Sequence, residues 1–391
     1  MKYSTFLTVP VLLGAFLALG GCGIDSSTTG SDGGPMAMDG GTDGSHEDGS
    51  VALDGGDDAG TQKPPLSGEL GPIEGEAKFT KTTEGVPMDG VRCDAVEYDS
   101  QGFNIKGQVC RPTAGDKFPL LIANHGLGAY KSTHAAAWAK LGFAVFESAY
   151  RGEGGSDGLI DYCKGEVYDV RRMIQIAKAQ TYVDTSTVGM VGYSHGGCVT
   201  MKVLAAEAYA GTTKFDAVVN VFGPADWAAT YNHIAKLQDL CLIDSKPCDT
   251  LADLRRATGG APKEEPEAYE ERSPLFLTQL LEDVAAPLLI LHATGDSIVP
   301  YGPNCGLAVA MGEFEAWHIG FDGNAKAGAP PACNLNGLTW SGGTAPTTTY
   351  GAERTIVVYD TISPFGHAEN LGAGMNMQSR ALAFMKNKIG L

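Results

Sequence analysis

Basic residues are scarce in this sequence: 28 Lys and Arg stand against 46 Asp and Glu, for a formal net charge of −18 over 391 residues. No stripe of Lys and Arg gathers anywhere, and phosphate binding rests on such clusters, so nucleic acid is not expected as a partner. Long apolar runs are also missing. The longest, Phe6 to Leu19, falls short of a membrane span, follows Lys2 and gives way at once to polar sequence, which describes a secretory signal rather than part of a fold. Internal repeats are absent, and the acidic turns around Asp39-Gly40-Gly41-Thr42-Asp43-Gly44 lack the spacing and closing Glu of a calcium loop, so no metal site is expected.

The chain has a 43% hydrophobic content, enough for a sizeable core. The core does not begin at once. Residues 23–68 are Gly, Asp, Ser and Thr with nine acidic residues against the single Lys63; such a segment cannot bury enough apolar area to offset chain ordering and is expected to be a disordered tether. Its typical reach is roughly 40 Å. Before it, Leu19-Gly20-Gly21-Cys22 resembles the lipobox of bacterial lipoproteins. That likeness implies residues 1–22 as signal and lipobox, a lipid on Cys22, and anchorage in the cell envelope, with Gly23 pointing to the outer membrane.

Eight further cysteines in a chain bound for an oxidising compartment imply a disulfide framework. Cys93 and Cys110 flank Asp99-Ser100-Gln101-Gly102 symmetrically, so a hairpin folded about Gln101 and Gly102 would set them opposite each other. Cys241 with Cys248, and Cys305 with Cys333, are the next pairs expected; Cys163 and Cys198 fit a bridge or buried thiols equally.

From Glu69 to Leu391, apolar runs of strand length alternate with stretches of helical period, the pattern of an α/β domain with a mostly parallel sheet and helices on both faces. Eight strands are predicted: 91–98, 103–111, 119–124, 144–149, 188–192, 217–222, 287–292 and 355–359. Helices are predicted over 134–141, 166–179, 195–208 and 376–388. A polar, helix-prone block over about 223–283 is expected as a cap insertion, and a second insertion, bracketed by Cys305 and Cys333, over about 305–349.

The chemistry concentrates in Gly192-Tyr193-Ser194-His195-Gly196-Gly197, with an apolar strand before it and a helical run after it. This is the pattern of a nucleophile elbow: the turn strains the serine backbone, the glycines let neighbouring backbone approach, and the helix N-terminus favours developing negative charge. The NH of His195 is one oxyanion donor; that of Leu127, in Asn124-His125-Gly126-Leu127-Gly128, is the candidate for the other. His125 itself reads as structural. An acid is expected where Leu288 to Ala293 ends in Thr294-Gly295-Asp296, and a base in Ser363-Pro364-Phe365-Gly366-His367, shortly after the last strand; His318 is the rival base. Ser194, Asp296 and His367 stand in the chain order that a serine triad on this kind of sheet uses.

With these motifs, residues from about 90 to 391 resemble the α/β-hydrolase superfamily, nearest its dienelactone-hydrolase-like and prolyl-oligopeptidase-like groups. Tyr150-Arg151-Gly152-Glu153-Gly154-Gly155 is similar to the arginine-glycine loop of those groups, and Asp184 to Gly189 to their lead-in to the elbow. Three features depart from them. The nucleophile is Ser194 where dienelactone hydrolases carry Cys, a tether stands where prolyl oligopeptidases carry a propeller, and 71 positions separate Asp296 from His367, leaving room for an insertion at the pocket rim.

The expected activity is acyl transfer on Ser194, with small-molecule or polymeric esters as substrates and no metal or organic cofactor required. Ester cleavage is preferred to peptide or amide cleavage because a propeller is the usual filter for short peptides. A lipid-anchored binding protein that keeps the fold without chemistry is a third possibility. Trp227, Tyr231 and Trp317 fit a pocket lining or a core equally.

Overall fold

The computed structural model describes residues 73, 75–237, 246–342, 351–362, 366–371 and 375–390. Cys22, the tether through Gly68, Cys241 and the Gly, Thr and Pro-rich run past residue 342 lie outside them.

Strand formation starts with the hairpin of β2 (Val91–Ser100) and β3 (Phe103–Pro112), antiparallel and in full register from Val91↔Pro112 to Ser100↔Phe103. Gln101 and Gly102 both take positive φ, 55° and 83°, the handedness that lets a two-residue turn match strand twist. Cys93 and Cys110 are direct cross-strand partners and are disulfide-bonded.

The succeeding strands β4 (Phe118–Asn124), β5 (Ala144–Ser148), β7 (Ala217–Val221) and β8 (Leu288–Ala293) are short and almost wholly buried, and the longer β6 (Val183–Tyr193) is buried from Val188 onward. That suits parallel strands covered on both faces. With β1 (Lys81–Thr83), β9 (Phe314–Ile319), β10 (Ala325–Lys326), β11 (Thr339–Ser341) and β12 (Arg354–Tyr359), the described residues form a twelve-stranded sheet ordered β1-β2-β3-β5-β4-β6-β7-β8-β12-β9-β10, with β11 also beside β9.

Eight strands were expected, and β9 is the consequential addition. The stretch over about 305–349, expected as an insertion, contributes a sheet strand parallel to β12. The physical reason is burial: Phe314, Ala316, Trp317, His318 and Ile319 are all enclosed, so no polar alternation marks the strand.

Helices α1 (Ala135–Lys140) and α9 (Met377–Ile389) cover one face, where Trp138, Phe143, Met377 and Phe384 build a core layer. On the other face, α2 (Gly165–Lys178) and α3 (His195–Ala210) pack over Val188, Met190 and Val218. Between β7 and β8 the chain forms α4 (Trp227–Ala235), α5 (Lys246–Thr258), α6 (Pro266–Glu270) and α7 (Thr278–Leu281); α8 (Gly302–Met311) follows β8. Asp226 caps α4 by accepting from the Ala228 and Ala229 amides.

Disulfides join Cys163 to Cys198 and Cys305 to Cys333. The first resolves a pair whose state was open in the sequence: it ties the loop before α2 to the second turn of α3. Cys248 is also disulfide-bonded.

Candidate active site

Every predicted site residue in the fold sits at the carboxyl end of a parallel strand, where open α/β sheets carry their sites. Ser194 joins β6 to α3 with φ 52° and ψ −126°, a strained conformation for a residue with a side chain. The glycines explain how the turn fits. A Cβ on Gly192 would lie 2.1 Å from the Gly196 carbonyl oxygen, and one on Gly196 would lie 2.2 Å from that of Asn124. Both contacts are with backbone, which cannot swing aside.

Ser194, Asp296 and His367 are brought together. His367 Nε2 lies 2.9 Å from Ser194 Oγ, and His367 Nδ1 donates to Asp296 Oδ2 at 2.8 Å. Asp296 Oδ1 accepts from the amides of Ile298 and Val299 at 2.9 and 2.8 Å. Burial alone would push the Asp296 carboxyl up, but His367 and His292 beside it hold it well below the ordinary carboxylate range. It is therefore an anion at neutral pH, the state needed to orient an imidazole.

The two oxyanion candidates flank the serine. His195 opens α3, its ring buried among Tyr150, Tyr162 and Trp227, where Nε2 accepts from the Cys163 amide at 3.2 Å. Burial drives that imidazole down to about 3, so it stays neutral. Leu127 lines the pocket beside Ser194, and a Cβ on its neighbour Gly126 would sit 3.2 Å from that of the serine. The Gly128 amide is held by Glu153 Oε2 at 2.9 Å.

His125 is enclosed, stacked 4.2 Å from the Tyr150 ring and pushed by burial down to about 4. His318, the rival base, has both ring nitrogens engaged, Nδ1 with the Gly328 carbonyl at 3.1 Å and Nε2 with Asp360 at 2.8 Å. It has nothing left for a serine. Trp227, Tyr231 and Trp317 are buried core residues, none of which lines the pocket.

The pocket over Ser194 holds about 550 Å³ and is lined by Leu127, Tyr162, Phe222, Ile298, His367 and, from α5, Asp249, Thr250 and Asp253. These α5 residues were not singled out from sequence. No described residue of 305–342 lines it, contrary to the expected rim.

The prolyl oligopeptidase family profile matches residues 129–312, which include Ser194 and Asp296. Acetyl xylan esterase 1 from Thermoanaerobacterium superposes with a TM-score of 0.51 at 17% identity, covering 79% of this chain and 87% of that one. The chain has the α/β-hydrolase fold. It is also 25% identical over 217 residues to YtmA of Bacillus subtilis, described as an uncharacterized peptidase, across 54% of this chain and 77% of that protein. Its triad makes it a hydrolase of the serine type.

Proposed function

We propose that this serine hydrolase cleaves carboxylic esters through an acyl-enzyme on Ser194. The observation that carries the proposal is the make-up of the pocket. Of its described lining residues only Tyr193 belongs to a strand, and that strand is paired on both sides by β4 and β7. A peptide backbone held in extended form needs an open strand edge or an equivalent row of amides and carbonyls. A compact ester needs only a nucleophile, two oxyanion donors and an apolar recess, which Leu127, Ile160, Phe222 and Ile298 supply. Asp249, Asp253 and Glu369 also line the space, with no Lys or Arg among the described lining residues. That balance favours neutral or cationic esters over carboxylate-bearing ones.

In the reaction, His367 Nε2 takes the Ser194 proton as Oγ attacks the ester carbonyl. The Leu127 and His195 amides receive the oxyanion, and Asp296 stabilises the imidazolium. His367 then returns the proton to the departing alkoxide, and a water activated by the same imidazole releases the acid.

A second reading, cleavage of amides or peptides, is favoured by the prolyl oligopeptidase match and by the description of YtmA. The test is the initial rate on p-nitrophenyl esters of rising acyl length beside aminoacyl arylamides, for the wild type and Ser194→Ala. Ester turnover lost in the variant supports the proposal. Arylamide turnover without ester turnover transfers the site to the second reading, and failure of the wild type to react with a fluorophosphonate leaves a binding role.

Secretion and a lipid on Cys22, with outer-membrane anchorage, belong to the same proposal. They are supported by the Leu19 to Cys22 motif and by disulfides, which persist in oxidising compartments. Incorporation of labelled palmitate, abolished by Cys22→Ala, is the expected result.

A further inference from the structure

Asp296 Oδ2 is shared. Besides His367 Nδ1 at 2.8 Å, it faces Nε2 of His292 at 3.2 Å. His292 projects from β8 and is fully buried, and no step of the mechanism above uses it. Its protonation pattern follows from a chain of contacts that begins at an unambiguous donor.

The Gly223 amide donates to Asn220 Oδ1 at 3.0 Å. Asn220 must then turn its Nδ2 to Asn304 Oδ1, 3.4 Å away. Asn304 in turn presents Nδ2, a donor only, to the Gly223 carbonyl at 2.8 Å and to His292 Nδ1 at 2.9 Å. A ring nitrogen facing a donor must accept, so the neutral His292 imidazole carries its proton on Nε2. That N–H points at Asp296 Oδ2 and at the Val299 carbonyl, 3.0 Å away. The four side chains thus form one directed chain from the α3–β7 side of the sheet to the catalytic carboxylate, with Asn304 fixed on α8.

We propose that His292, locked as the Nε2–H tautomer by Asn304, is a positioning residue that shares the Asp296 charge with His367 and so sets how strongly the carboxylate supports the imidazolium. This rests on the reading of Ser194, Asp296 and His367 as the reacting set. Among the described residues, the titratable groups around the carboxylate are His367 from the loop after β12 and His292 from β8; His233 from α4 meets the Asp296 backbone carbonyl, at 3.1 Å. With the His292 donor gone, the carboxylate leans more on His367 and holds the imidazolium more tightly.

The experiment measures the rate of fluorophosphonate labelling of Ser194 against pH in the full chain, for the wild type, His292→Leu and His292→Gln. Labelling needs the serine and its base whether the natural substrate is an ester or an amide. In His292→Leu the acid limb should move up by about one pH unit, a tenfold change in the proton equilibrium. His292→Gln, which restores an N–H at the same reach, should keep the limb at the wild-type position. Nitrogen-15 spectra of the wild-type histidines should show the neutral His292 ring as the Nε2–H tautomer, a result that does not depend on any variant folding. A folded His292→Leu with an unmoved limb, Leu and Gln variants that lose rate alike without a shift, or an Nδ1–H tautomer would each overturn the inference. Absence of labelling in the wild type is the separate sign that the catalytic reading itself has failed.

Discussion

Replacing Asp296 by Asn changes one atom, and its consequences can be followed through each hydrogen bond. Oδ1 keeps the Ile298 and Val299 amides at 2.9 and 2.8 Å, so the turn after β8 should hold. The new NH₂ takes the place of Oδ2 and confronts His367 Nδ1 and His292 Nε2, both of which donated to it. His367 can respond only by presenting Nδ1 as an acceptor, which moves its proton to Nε2, the nitrogen that must receive the Ser194 proton. A base in the wrong tautomer costs about 10⁴ in kcat, or about 5 kcal/mol at 1.36 kcal/mol per factor of ten. His292 Nε2, unable to donate to an NH₂, is left with the Val299 carbonyl, while Nδ1 keeps Asn304; the expense to stability is about 1–3 kcal/mol. The assay is kcat and KM on a p-nitrophenyl ester, with thermal unfolding recorded alongside. A folded variant within tenfold of wild-type kcat would refute the assignment of Asp296 as the orienting acid.

Three further outcomes are expected. Gly192→Ala sets a methyl 2.1 Å from the Gly196 carbonyl oxygen and 2.2 Å from Thr200 Oγ1; overpacking of that kind costs about 1–3 kcal/mol or more, and unchanged unfolding in urea with unchanged activity would contradict the elbow geometry. Glu166, wholly buried and accepting from the Asp161, Tyr162 and Lys164 amides, is pushed up by burial to about 7. Its contribution is therefore present below about pH 4.5 and lost as pH rises through about 7, so Glu166→Gln should gain stability relative to the wild type between those limits, by up to about 3 kcal/mol; a difference independent of pH would count against the burial argument. Removing the Cys163–Cys198 bridge, whose partners are 35 residues apart, with the double variant Cys163→Ala and Cys198→Ala should lower stability on the order of 3–4 kcal/mol, and equal melting of variant and wild type would show that the bridge does not restrain the unfolded chain.

The triad was legible because its signals are local. A glycine-flanked serine between a strand and a helix, an aspartate at a strand end and a histidine after the last strand each carry their own sequence mark, and their order selects the fold. The β2–β3 hairpin was legible for the same reason, since Gln101-Gly102 sets the register that pairs Cys93 with Cys110. Strand β9 was not, because enclosure on both faces erases the alternation that marks a strand, and the flanking Cys305 and Cys333 suggest a separate excursion.

Composition, periodicity and motif spacing by themselves determined the α/β class, the parallel sheet and the identities of Ser194, Asp296 and His367, since each depends on residues close together in the chain. Only the tertiary structure decided that Cys163 meets Cys198, that α5 brings Asp249, Thr250 and Asp253 to the pocket, and that Asn220, Asn304 and His292 line up behind Asp296. Asn220 and Asn304 alone are 84 positions apart, and the partners in these contacts are chosen by how helices pack across the sheet, which no local pattern encodes.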